Sequence, residues 1–493
     1  MDARYELSRK LFQRGLALVW LIAFVSLGVQ VRGLFGEHGV QPAWMLLDWV
    51  ASSTSSFAER LYVVPSVFWL DSGDGALVGA CVLGAVAALA LLLDVAPGLA
   101  CLVAWGLYVS LISVGGVFLA LQWDALLAEA GLLAVFYAPW RLRRPGERSD
   151  RAPRLARWCL WWLVARLMLE SGLVKLASGD PTWRDLSALD FHFETQPLPT
   201  PLAFLAHHAP AWTRRAAIVA TYAIELALPV AILFGVRGRR VAAVGFVGLQ
   251  VAIAATGNYG FFNLLTAVLA LALLDDAVLT RVPKLAGRPP RAVVDETWER
   301  NAAGQFLIVI VALATVPACV DVAARAVGLA PLPALARALE ARLQPLASFN
   351  SYGLFAVMTT ERSELVLEGT RDGVEWRRYP FRFQPGEVDD APSFVAPHLP
   401  RLDWALCFAA LGSPEHLAAA ESLAKRLLAG EPTVLALLAA EPFSGGPPPG
   451  DSSSGAPPKR VRAVRWLYRF AEPGSDAWWT REEVGRAFEK SRE

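Results

Sequence analysis

The feature that most restricts this chain is a succession of apolar segments near twenty residues long, separated by connections in which arginine is concentrated. They centre on residues 15–31, 76–93, 98–120, 122–140, 158–176, 216–234, 241–256, 261–274 and 302–320. A hydrocarbon core roughly 30 Å thick takes about 20 helical residues to cross, and a backbone within it must satisfy its own hydrogen bonds. The expected fold class is therefore an α-helical polytopic membrane bundle of about nine transmembrane helices, followed by a soluble, β-rich α+β domain. Composition agrees: 55% of residues are hydrophobic, 18% are charged and mean hydropathy is +0.40. Soluble chains of this length rarely combine those values.

Arginine sets the orientation. Arg4, Arg9, Lys10 and Arg14 precede the first segment, and residues 141–157, 237–240 and 281–300 form the other basic connections. With the N-terminus inside, nine crossings put every one of them on the cytoplasmic side, as positive-inside asymmetry requires. The connection 33–75, the loop after residue 176 and everything beyond residue 320 then lie on the opposite face, periplasmic or lumenal. The run 15–31 lacks an A-x-A exit and reads as an anchor rather than a cleaved signal. The connection 33–75 carries Trp44, Trp49, Phe57, Tyr62, Phe68 and Trp69 among few charges, which suits the bilayer interface.

Six ionisable side chains fall inside the apolar segments: Asp124, Glu129, Arg166, Glu170, Lys175 and Glu225. Charge at membrane depth is costly, so such groups face the bundle interior and pair. Arg166 and Glu170 are four residues apart, share a helix face and can pair. Lys175 and Glu225 would complete an intramembrane polar network beneath the outer loop. Such a network either fixes helix packing or lines a polar cavity for a ligand or protein segment.

The fifth segment ends at Ser178-Gly179-Asp180-Pro181 and enters a dense polar-aromatic loop, residues 177–214, stiffened by the PLPTP run at 197–201. Asp180 is placed to cap a short helix with Pro181 at its first position. Arg184 and Asp185 are adjacent and so point in different directions. We read Asp180, Trp183, Arg184, Asp185, His192, Glu194 and Gln196 as a client or ligand surface. The alternative is that Trp183 plugs the outer mouth of the bundle and the loop is a lid.

The stretch SGDPTWRDLSALDFHFETQPLPTPLAF closely resembles the signature loop of the lipase maturation factor family. A second match comprises Asn350-Ser351-Tyr352-Gly353-Leu354-Phe355, the ELVLEG run at 364–369 and Arg401-Leu402-Asp403-Trp404. The resemblance spans residues 33–470. It implies a multi-pass protein of the bacterial inner membrane or the endoplasmic reticulum, without catalytic turnover, that helps exported proteins, secreted lipases above all, to fold and assemble. The partners so implied are an exported lipase and the lipid bilayer.

The domain boundaries we expect are 1–330 for the bundle, 331–347 for an amphipathic juxtamembrane linker and 348–493 for the extracytoplasmic domain. In the linker Leu332, Leu335, Leu339, Leu343 and Leu346 recur at helical spacing. In the domain, strands are expected at 364–368 and 377–383 around an Asp372-Gly373 turn, and again at 462–470. Helices are expected at 402–410 and 415–437, and the low-complexity segment 443–458 reads as a mobile loop.

No nucleophile elbow, zinc helix, dinucleotide fingerprint or P-loop occurs. His207-His208 and the five cysteines lack ligand spacing, so neither a metal site nor a cofactor is expected. A net charge of +1 leaves no basic face for nucleic acid. The rival class is a membrane enzyme acting on a lipid, quinone or protein substrate, with Arg166, Glu170, Lys175 and Glu225 as its polar site. Its layout would match vitamin K-dependent carboxylase-like proteins, by analogy of architecture alone. A transporter is disfavoured because no internal repeat is visible.

Overall fold

The computed structural model describes residues 4–142, 148–150, 153–281, 292–294, 302–326, 328, 338, 341–443 and 456–492. Every apolar segment coincides with helix. The bundle comprises α1 (Glu6–Gly28), α2 (Asp74–Leu92), α3 (Pro97–Val114), α4 (Gln122–Tyr137), α5 (Arg154–Ala177), α6 (Ala211–Tyr222), α7 (Gly235–Thr256), α8 (Phe262–Leu271), α9 (Ala302–Ala314) and α10 (Val316–Ala326). Among the described residues α1, α2, α3 and α7 are long and apolar enough to cross a membrane. α5 is longer still, and its internal charges set it apart from those four. α8 is shorter than its apolar segment, 10 residues or ~15 Å. It starts one residue into that segment and ends three residues before the segment does, at Leu271.

α6 continues through a π turn, Ala223–Ala227, into Leu228–Ala231. Pro229 explains the irregularity: it has no N–H to donate to the carbonyl of Glu225, so the α ladder cannot run through.

The two ends of the bundle differ in chemistry. At one end Asp276 accepts from the first amides of α1, those of Glu6, Leu7 and Ser8, at 3.0–3.1 Å. There too Arg240 binds Asp275 at 2.8 Å, Arg141 binds Asp94 at 3.1 Å, and the Arg157 guanidinium lies 4.2 Å from the Tyr5 ring centroid. Arg148–Asp150 and Ala292–Val294, from two separate basic connections, meet as a parallel pair. The opposite end carries the 177–214 loop and the C-terminal part.

That part holds an antiparallel sheet of β1 (Arg362–Thr370), β2 (Arg377–Arg378), β3 (Arg460–Phe470) and β4 (Trp479–Ser491) in the order β2-β1-β3-β4. Arg362 faces Tyr468 and Thr370 faces Arg460. The β1–β2 connection turns where expected: Gly373 has φ +83°, and the Asp372 carboxylate accepts from the Val374 and Glu375 amides at 2.8 and 3.0 Å. β2 stops before Pro380, which cannot donate to a ladder. The strand β4 was not expected, because its polar run TREEVGRAFEKS shows no clean alternation. It forms by pairing along β3, with register shifts at Ala463/Val464 and Arg465/Trp466.

Two helices pack on the sheet, α11 (Arg401–Ala410) and α12 (Pro414–Ala429). The expected single helix 415–437 breaks at Gly430, whose φ of +70° ends α12; a short turn, Pro432–Leu435, follows. Most of the linker 331–347, and residues 444–455 of the low-complexity segment, lie outside the described residues. The ends of that segment are packed rather than loose. Phe443 is buried, and Arg371 donates to the carbonyls of Phe443 at 3.1 Å and Ala456 at 2.8 Å.

Candidate functional site

The 177–214 loop is short helices seated on α5 and α7 at the end away from the basic connections. Asp180 caps the first, Pro181–Arg184: its Oδ1 accepts from the Thr182 amide at 2.8 Å and the Thr182 hydroxyl at 2.9 Å. Its Oδ2 accepts from the Met358 amide at 2.5 Å, so the cap also grips the C-terminal part. Burial alone would raise this carboxyl, but the Met358 and Thr182 donors outweigh it and hold it below the usual range.

Trp183 is buried. Its indole donates to the Phe355 carbonyl at 2.9 Å, and the Lys175 ammonium lies 5.3 Å from its ring centroid. Gln196 is also buried, donating to Thr256 O at 2.8 Å and accepting from the Tyr259 hydroxyl at 2.9 Å. His192 and Glu194 are half-buried. Burial first, and then Lys175, bring the His192 imidazole down to about 4. Burial raises the Glu194 carboxyl despite the Phe470 amide, which donates to it at 2.6 Å. Arg362 on β1 adds a clamp, donating to the carbonyls of Glu194 and Pro197, each at 2.8 Å. Arg184 and Asp185 alone of the seven loop residues read as a surface stand exposed. The turn at Asn258 lies under the loop, its side chain donating to Leu198 O at 3.1 Å.

Below the loop the six ionisable residues form three separate clusters. In the first, Lys175 donates to both Glu225 oxygens, at 2.9 and 3.0 Å. The π turn supplies Glu225, and Gly172 lets it approach: a Cβ at 172 would meet Leu226 at 2.6 Å and the Glu225 Cβ at 3.1 Å.

The second cluster does not use the pairing that helix spacing allows. Arg166 pairs with Glu129 on α4 and not with Glu170 one turn away. The segment Asn350–Gly353 enters between the helices and takes up the leftover groups. Arg166 donates to Asn350 O, and Glu170 accepts from the Tyr352 amide at 2.6 Å. Glu129 accepts from the Tyr352 hydroxyl at 2.7 Å, and Gln122 from the Gly353 amide at 3.1 Å. A Cβ at Gly353 would meet Val174 at 2.7 Å, so only glycine passes here.

In the third cluster Asp124 binds Arg401 of α11 at 2.7 and 2.9 Å and accepts from Tyr108. Arg401 also donates to Phe118 O at 2.6 Å, and its amide donates to Gln30 Oε1 at 3.0 Å. Asn350, Tyr352, Arg362 and Arg401 were not assigned roles from sequence. Three of these four lie inside the two blocks quoted for the resemblance, which was the available signal. Among the described residues no cluster of His, Cys, Asp and Glu could hold a metal, and all five cysteines are free and buried.

Two family models match the chain: "Lipase maturation factor transmembrane domain" over residues 7–281 and "Lipase maturation factor C-terminal domain" over 348–489. The chain belongs to the lipase maturation factor family. Human lipase maturation factor 2 is 34% identical, covering 98% of this chain and 82% of the relative. The chicken lipase maturation factor 2 is 35% identical, with 97% and 80% covered. Human lipase maturation factor 1 is 32% identical, with 98% and 88% covered. No solved structure matches. As a lipase maturation factor relative with this helical bundle, the protein is a multi-pass membrane protein. The buried clusters tie its two family regions together: Arg166 and Asp124 lie in the first, Asn350, Tyr352 and Arg401 in the second.

Proposed function

We propose that the protein is a membrane-anchored maturation factor that binds exported proteins, lipases as the client class, and assists their folding without chemical turnover. The observation that carries this is the joint construction of one end of the molecule. The polar loop and the C-terminal part are fastened to each other by Asp180, Trp183 and Arg362, at the end opposite the basic connections. That arrangement supports an outer, periplasmic or lumenal position for both, with nine crossings and a cytoplasmic N-terminus. It also supports a bundle of 1–330 carrying an extracytoplasmic domain of 348–493.

The client-facing part of the loop is the exposed pair Arg184 and Asp185. Asp180, Trp183, His192, Glu194 and Gln196 shape that surface from beneath. The six charged residues in the spans act as helix-to-helix and helix-to-domain fasteners. In cells lacking the protein, exported lipases should be made in normal amount while their specific activity falls. Unchanged specific activity across secreted lipases would overturn the proposal.

A further inference from the structure

Beneath Trp183, between α5, the π turn after α6, and α7, lies a cavity of about 110 Å³ that opens at a mouth, so a long ligand would be held by one part and extend out through that mouth. Its walls are mostly apolar: Leu167 and Met168 from α5, Leu249 and Ile253 from α7, and Phe262 from α8. Thr221 and Ile253, both partly exposed, stand on two membrane helices at its margin.

The polar groups in the wall are unequally satisfied. Lys175 is spent: it donates to Ser171 O at 3.0 Å and to both oxygens of Glu225, whose charge matches its own. The cavity therefore carries no net charge from that pair and is not built for an anion. Gln250 is different. Its Oε1 accepts from Asn263 at 2.8 Å, but its Nε2 has no partner among the described residues and opens on the cavity, so the polar part of the site is incomplete. What completes it is an uncharged acceptor, attached to something apolar enough to cover the remaining wall at membrane depth.

We propose that this cavity binds a long-chain acyl ester from the membrane, its carbonyl oxygen accepting from Gln250 Nε2 and its alkyl chain lying along Leu167, Met168, Leu249 and Ile253. The π turn supports the assignment, since it puts Glu225 where it neutralises Lys175 inside the wall, and such turns gather at functional sites. The site is independent of client binding, and its test does not involve a client.

The full-length protein in lipid nanodiscs is photolabelled with 1-monopalmitoylglycerol carrying a diazirine in its alkyl chain. Parallel samples receive an alkyl diazirine of equal length without the ester, or the corresponding palmitate. The ester probe should label peptides containing residues 167–171 and 249–253, and unlabelled monopalmitoylglycerol should compete. Leu249→Trp, which fills the cavity, should abolish that labelling. Gln250→Glu keeps an acceptor for Asn263 but removes the amide donor, and should weaken competition about tenfold. Because it is nearly isosteric, it carries the test if Leu249→Trp does not fold. Labelling spread evenly over lipid-facing positions such as Val244 and Val251, or unaffected by Gln250→Glu, would overturn the proposal. So would equal labelling of the cavity by the alkyl probe, or stronger labelling by palmitate.

Discussion

Asp180 and Trp183 both reach the C-terminal part, through Met358 and Phe355, but only Asp180 also acts on its own neighbours. The cap at Asp180 was legible in sequence because capping is local: one of its donors is Thr182, two residues on. The burial of Trp183 was not legible, because its partner carbonyl belongs to Phe355, 172 residues later. Trp183→Ala should cost ~3–5 kcal/mol through the emptied space, and folded protein and client activity should fall together. Charge reversal at exposed Arg184 and Asp185 should leave the melting temperature within about a degree of wild type and still lower lipase rescue. Parallel loss in both sets would remove the distinction between surface and support. His192 gives a pH signature. Its pKa falls from 6.5 to about 4 on folding, so between those values the unfolded chain takes up a proton that the folded one refuses. Stability contributed by His192 therefore rises with pH across that window. His192→Gln should flatten the dependence of melting temperature on pH there, and an unaltered slope would show that the imidazole is not held neutral by burial. His207, also brought down to about 4, keeps part of the slope in the variant.

At the scale of elements, apolar runs told where the helices are, since every expected segment is helical. They did not tell how the helices are fastened. The pairing of Arg166 with Glu170 was drawn from spacing alone, and the Asn350–Gly353 segment displaces it by supplying better-placed partners. β4 escaped notice because an edge strand paired on one side needs no alternation of its own. The third cluster offers the sharpest test of docking between bundle and domain. Arg401→Met leaves Asp124 as an uncompensated buried carboxylate and should cost ~3–5 kcal/mol, read as a lower melting temperature. Adding Asp124→Leu removes that stranded charge and should recover most of the loss. A double variant as unstable as the sum of its parts would mean that the ion pair does not couple the two regions.

At the scale of the molecule, the two family regions make one object, with basic connections at one end and the polar loop and sheet at the other. Of the blocks carrying the resemblance, Ser178 to Phe204, Asn350 to Phe355 and Arg401 to Trp404 are points at which the regions clasp. Sequence displayed those blocks but not their mutual contact, which depends on separations of well over a hundred residues. The central claim is that the clasped end receives an exported lipase while it folds. The direct measurement places a photocrosslinking amino acid at position 184 and pulse-labels a secreted lipase in intact cells. The account predicts a crosslink to newly made, inactive lipase that fades as activity appears and is absent when the crosslinker sits at Arg240, at the basic end. Since a cytoplasmic loop never meets an exported chain in this way, the same result fixes the side of the membrane. No lipase adduct at 184, or equal adducts at 184 and 240, would contradict it.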